Sequence, residues 1–197
     1  MTKKLLIIII IVAVAVLAYY LFFSQKEAGE PERESQLLNP AAVYCQEQGG
    51  TLENVELPAG SAAYCAFEDG SKCWQWDFYR GDCQKGDLKI ETLVEGTGQT
   101  VENGDIIFVH YTGWLEDGTK FDSSLDKGQP LAFVLGEENV IKGWDYGILG
   151  AKVGEKRRLT IGPSLAYGAD EIPGLIPANS TLIFEVEILE IRNVSAE

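Results

Sequence analysis

Residues 180–191 read STLIFEVEILEI, and the reading of this stretch decides the fold. Leu182, Phe184, Val186 and Ile188 fall on one side of an extended chain, and Glu185 and Glu187 on the other. Strict alternation of this kind gives a strand with one face against a core and one toward water. Three more runs read as strands: DIIFVHYTG (105–113), LAFVLG (131–136) and KRRLTIG (156–162), each set off by Gly-rich punctuation. One stretch departs from this period. Between Val140 and Leu149, Ile141, Trp144 and Ile148 share one side of a single short helix. The inventory is α+β, an antiparallel sheet with one helix laid on it.

The 197-residue chain carries a formal net charge of −14, with 46% apolar residues, enough to build a core. The charge is uneven: residues 1–39 are neutral, 40–86 carry −4 and 87–197 carry −10. So acidic a surface, with no basic stripe, is repelled by phosphate backbones and excludes nucleic acid as a partner. The N-terminus speaks to location. From Leu5 to Phe23 run nineteen residues without charge, Pro or Gly. At about 1.5 Å per residue such a helix nearly spans a hydrocarbon core of about 30 Å. Lys3 and Lys4 precede the run, and Tyr19, Tyr20, Phe22 and Phe23 stand where an interfacial aromatic belt would lie. The expectation is a signal anchor over 1–23, with the N-terminus cytoplasmic and the rest extracytoplasmic. Secretion after signal cleavage is the competing reading. Val16-Leu17-Ala18 loosely fits a cleavage site, but the apolar run continues past it. A polar linker follows over 24–38, then a compact segment over 39–86, then a domain over 87–197.

The compact segment holds all four cysteines: Cys45, Cys65, Cys73 and Cys83. On an exported chain these form two disulfides, with three pairings open. The intervals of nineteen, seven and nine residues contain no close C-x₂₋₄-C pair, so a zinc site is not expected. The bridges substitute for a core that so small a segment cannot build. Trp74, Trp76, Phe78 and Tyr79 are expected to pack around them.

Residues 110–124, HYTGWLEDGTKFDSS, gather the chain's only histidine with Asp117, Asp122, Ser123 and Ser124. The cluster invites a hydrolase reading. However, His110 and Tyr111 are strand neighbours on opposite faces, Asp117-Gly118 is a turn, and no nucleophile elbow is present. His110 reads as a packed or surface histidine, and neither a metal nor another cofactor is expected. The apolar residues say more. Tyr111, Phe121, Trp144, Tyr167, Ile176 and Phe184 come from separate runs, near element ends, and could line a concave apolar pocket.

These residues lie in a series of motifs: VHYTG (109–113), LEDG (115–118), KFDSS (120–124), VIKGW (140–144), YG (167–168), PGLIP (173–177) and TLIFEVE (181–187). In this order and spacing they resemble the FKBP-type peptidyl-prolyl cis-trans isomerases across almost all of residues 87–197. The four-cysteine segment, through NPA (39–41), Tyr44-Cys45, Gly49-Gly50 and Trp76 to Cys83, is similar to a small domain of unknown function. That domain occurs in exported bacterial proteins and sometimes carries a haemolysin label, but nothing in this segment suggests a pore.

The resemblance implies a sheet wrapped around one short helix, with the site between them. By position, Trp144 would form the floor, and Tyr111, Phe121, Val140, Ile141 and Phe184 the walls. Leu131 would join the binding surface. Tyr167 and the loop with Leu175 and Ile176 would overhang it, and Asp122 would supply a polar group. It also implies Pro-containing polypeptides as substrates and macrolides as further ligands. Leu131 stands where the family often has Phe, Lys127 where Arg is common, and Ile172 where some members have His. These departures bear on substrate preference. The expected function is a membrane-tethered prolyl isomerase assisting the folding of exported proteins. The alternative is a catalytically weak Pro-peptide-binding or chaperone module of the cell envelope.

Overall fold

The computed structural model describes residues 39–192 except residue 59. The apolar run over residues 5–23 and the linker lie outside the described residues. Among the described residues no helix is long and apolar enough to cross a membrane. From Ala41 onward the chain clusters as one compact unit.

The unit begins with the cysteine segment. Helix α1 (Pro40–Glu47) leads into strands β1 (Thr51–Leu57), β2 (Gly60–Ala66) and β3 (Lys72–Trp74), an antiparallel sheet in that order, closed by the short helix α2 (Gln75–Arg80). The pairings left open by the sequence are Cys45–Cys65 and Cys73–Cys83. The first bridge makes a small cluster with Phe67, while Cys73 and Cys83 join the main core. Gly50 is required here: a Cβ would lie 2.4 Å from the Cys65 sulfur.

The second sheet contains β4 (Leu88–Val94), β5 (Ile106–Leu115), β6 (Lys120–Ser123), β7 (Leu131–Val134), β8 (Lys156–Ile161) and β9 (Leu182–Arg192). All pairings are antiparallel, in the order β4-β8-β9-β5-β6, and β7 takes the other half of the β5 edge. The alternation in β9 has its expected result: Leu182, Phe184, Val186 and Ile188 are all buried. On the outer face Glu185 meets Lys156 at 2.7 Å and Arg158 at 2.8 Å. Exposed ion pairs of this kind add little stability.

Helix α4 (Lys142–Ile148) lies on the inner face. It begins later than its apolar spacing predicts, because Ile141 is still extended (φ −62°, ψ 146°) and acts as the N-cap. The helix can approach the sheet because two of its residues have no side chain. A Cβ on Gly143 would meet Ile161 at 2.4 Å, and one on Gly147 would meet Leu159 at 2.8 Å. Its C-terminal carbonyls, which a helix cannot satisfy internally, find partners elsewhere. Arg157, held by buried Glu155 at 2.5 Å, donates to Gly147 O at 2.8 Å and Leu149 O at 3.2 Å. The Tyr64 hydroxyl of β2 donates to Tyr146 O.

The cysteine segment therefore grips the helix beneath the site. Trp74 stacks on Tyr64 and meets Tyr146 edge-on, and burial, with Asp77 nearby, raises the Tyr146 hydroxyl. Trp74 and Phe78 pack as expected, but Trp76 and Tyr79 do not. They are 42% and 45% exposed and form an edge-to-face pair at 6.0 Å. The reason is periodicity: on a six-residue helix facing the first bridge with Phe78, positions 76 and 79 point outward together.

Candidate active site

The inner face of the sheet and the N-terminal end of α4 enclose a cavity of about 190 Å³. Its lining is Tyr111, Phe121, Asp122, Leu131, Asn139, Val140, Ile141, Trp144, Tyr167 and Phe184. Strand alternation delivers Tyr111 from β5 and Phe184 from β9 onto the inner face, and the extended cap delivers Val140 and Ile141 to the rim. The rings hold one another in place. Trp144 lies 5.1 Å from Tyr111 and 5.2 Å from Phe184, and Phe121 lies 5.5 Å from Phe184, all edge-to-face. This geometry suits the aromatic quadrupole and makes the rings a stiff lining. Gly113 leaves space for them, since a Cβ there would lie 2.7 Å from Phe121 and 2.8 Å from Phe184.

Polar groups are few and fixed. The Tyr111 hydroxyl donates to Asp122 Oδ2 at 2.6 Å, and the Ser123 N–H donates to Asp122 Oδ1 at 2.8 Å. Lys127, from the one-turn helix α3 (Ser124–Lys127), reaches Asp122 at 2.6 Å. Burial alone would raise the Asp122 carboxyl, but hydrogen bonds from Lys127, Tyr111 and Ser123 outweigh it and hold it below the usual range. Burial raises the Tyr111 hydroxyl, assisted by Asp122. Among the described residues no acceptor faces the Ile141 N–H, and the buried Trp144 indole N–H has no partner.

A depressed folded pKa fixes the sign of an acid effect. The stabilisation from ionised Asp122 is complete above its unfolded value near about 3.9 and is lost as pH falls through its folded value. Urea unfolding midpoints at pH 7 and pH 3 should therefore separate less in Asp122→Asn than in the native chain; an equal separation contradicts the pairing.

Two residues expected to overhang the cavity are not in its lining. Leu175 is 53% exposed, and Ile176 is buried in the main core, with the backbones of Ile172 and Ile176 bonded to each other. Two residues of the site carried no sequence signal as site residues. Asn139 lines the cavity, and Lys127, noted only as a departure, anchors Asp122. Ser124 Oγ does lie 3.1 Å from His110 Nδ1, so the structure brings a serine to the histidine. That serine is buried and accepts from the Tyr111 N–H at 2.8 Å. Its hydroxyl fastens α3 to β5, and the aromatic cavity is on the other face.

The site is thus an aromatic recess with one anchored carboxylate and a backbone N–H at its rim, and among the described residues its lining holds no nucleophile–base pair. The sequence model described as "FKBP-type peptidyl-prolyl cis-trans isomerase" matches residues 97–189, and that of a "Domain of unknown function (DUF333)" matches residues 36–82. FK506-binding protein 1A of Neurospora crassa is 56% identical over 108 residues, which span 54% of this chain and 90% of that protein. The FK506-binding protein of Neisseria meningitidis serogroup B is 58% identical over 106 residues, 54% of this chain and 97% of its own. The crystal structure of AtFKBP13 superposes with a TM-score of 0.51 at 40% identity, covering 53% of this chain and 93% of that one. The chain belongs to the FKBP-type peptidyl-prolyl cis-trans isomerase family.

Proposed function

We propose that the cavity binds a prolyl residue and its preceding amide, and that the chain acts, tethered to a membrane, on exported polypeptides. The observation that carries the first part is the union of a stiff aromatic lining with one anchored carboxylate. Rotation about an X–Pro bond faces a barrier of about 18–20 kcal/mol because twisting destroys amide resonance. The twisted amide has less charge separation than the planar one, so an apolar recess favours it over the ground state. No bond to proline is made or broken, so no nucleophile is needed. In this reading Trp144 is the floor, and Tyr111, Phe121, Val140, Ile141, Phe184 and Leu131 bound the proline. The Ile141 N–H and Tyr167 hydroxyl hold substrate carbonyls, and Asp122 supplies the field. Leu175 and Ile176 act on longer substrates by shaping the loop. The same recess would accept macrolides of the kind named in its relatives.

The second part rests on the apolar run over 5–23 and on the two disulfides, which persist in oxidising compartments. Domains are then an anchor over 1–23, a linker over 24–38, a cysteine domain over 39–86 and an isomerase domain over 87–197. Two measurements test the proposal. External protease should remove the bulk of the chain from intact cells expressing it, leaving an anchored N-terminal fragment; full protection sinks the topology. In detergent, FK506 should abolish the chain's catalysis of X–Pro exchange; undiminished catalysis at saturating macrolide sinks the site assignment.

A further inference from the structure

A second recess, of about 490 Å³, lies between the cysteine segment and the isomerase domain. Its walls include Trp74, Trp76 and Arg80 on one side and Glu138, Lys142 and Tyr146 on the other. It shares a partition with the aromatic cavity. Within one short segment, Glu138 and Lys142 face this cleft while Asn139, Val140 and Ile141 face the cavity. Helix α4 is divided in the same way, with Trp144 toward the cavity and Tyr146 toward the cleft. A helix with its side chains is about 10–12 Å across, which three or four extended residues span at about 3.3–3.6 Å each.

We propose that the cleft is an extended subsite for the polypeptide whose proline occupies the cavity, a reading that rests on the prolyl site described above. The occupant is the substrate's own flanking segment, three to five residues from the proline. The placing of the two recesses on opposite sides of one short segment carries the proposal. The chemistry of the walls specifies the segment. Trp76 is 42% exposed at the cleft. A half-exposed tryptophan offers a large apolar face that a bulky aliphatic or aromatic side chain would cover. Asp77 is already paired with Arg80, and Asp145 already accepts from the Gly136 N–H at 2.9 Å. Glu138 and Lys142 both stand on this wall with no ion pair among the described residues, so a Lys or Arg in the substrate would complement Glu138 and an acidic side chain would complement Lys142. The cysteine segment thereby adds substrate selection to the isomerase domain.

The test compares two dye-labelled peptides with one X–Pro core, a tetrapeptide and a dodecapeptide carrying Phe and Lys three to five residues to either side of the proline. Affinities for the full-length chain in detergent are read by fluorescence anisotropy. The dodecapeptide should bind about tenfold more tightly, and Trp76→Ala should bring the two within about twofold. Glu138→Lys should reduce the advantage through charge alone, guarding against a folding defect in the first variant. Tetrapeptide exchange should be unchanged in both variants. Equal affinities in the native chain, or an advantage that survives both substitutions, would overturn the subsite. Failure of tetrapeptide exchange in the native chain would instead strike the prolyl-isomerase reading, while the affinity contrast still reports on the cleft.

Discussion

Phe184→Ala should be the most damaging single substitution in the cavity. Phe184 is 5% exposed and packs within 5.2 Å of Trp144, 5.5 Å of Phe121 and 6.4 Å of Tyr111. Truncating such a ring costs about 3–5 kcal/mol through lost burial and the void left behind. For a compact unit of this size the thermal midpoint should drop by roughly 10 °C. Catalysis should fall further than stability explains. With the protein still folded at 25 °C, kcat/KM for a short X–Pro peptide should drop by at least about tenfold, which is about 1.4 kcal/mol of transition-state stabilisation. The three remaining rings lose their common support, and water enters where the amide must twist. Calorimetry and exchange kinetics on the same sample check both halves. A stability loss with unaltered kcat/KM would make Phe184 a core residue only.

Loss of the disulfides should have the second-largest effect. The bridged cysteines lie 20 and 10 residues apart. On the chain-entropy account, closing loops of this length contributes about 3 kcal/mol each. Cys45→Ser/Cys65→Ser and Cys73→Ser/Cys83→Ser should each lower the urea midpoint accordingly. The second pair should also reduce tetrapeptide exchange, because Cys73 and Cys83 belong to the same core cluster as Trp144. Neighbouring Trp74 presses on Tyr146 of the helix that carries that floor. The first pair sits in its own cluster and should leave tetrapeptide exchange intact. Equal effects of the two pairs on exchange would contradict this division.

The legibility of the fold depended on how much of each element is buried on one face. In β9 the inner residues are all buried, so alternation alone assigned the strand. In β4 only Leu88 is fully buried and Glu91, Thr92 and Val94 are exposed, so its alternation is weak and the strand was not read. β6 and α3 are four residues each, too short to show a period. The expected helix was placed correctly by Trp144 and Ile148 but began too early, because an extended cap contributes an apolar residue as readily as a helical one. Tyr111, Phe121, Trp144, Tyr167 and Phe184 were legible as apolar residues of separate runs, while Asp122, Leu131, Val140 and Ile141 came from the motif series, since the cavity draws on several separate elements and loops. Lys127 illustrates what a motif hides. Its role follows from α3, where Ser123 Oγ accepts from the Leu125 N–H at 3.2 Å and turns the chain back toward Asp122. Trp76 and Tyr79 illustrate a different gap: aromatic composition said packing, and only the orientation of α2 showed them exposed.

The central claim is that this cavity rotates prolyl amides, and the most direct test is exchange of a short X–Pro peptide by the full-length chain in detergent. Without a catalyst, exchange takes tens to hundreds of seconds. The native chain should accelerate it saturably, and Asp122→Ala should retain the fold while losing most of the acceleration. A folded native chain that leaves exchange at its uncatalysed rate would contradict the account and leave a Pro-peptide-binding module in its place.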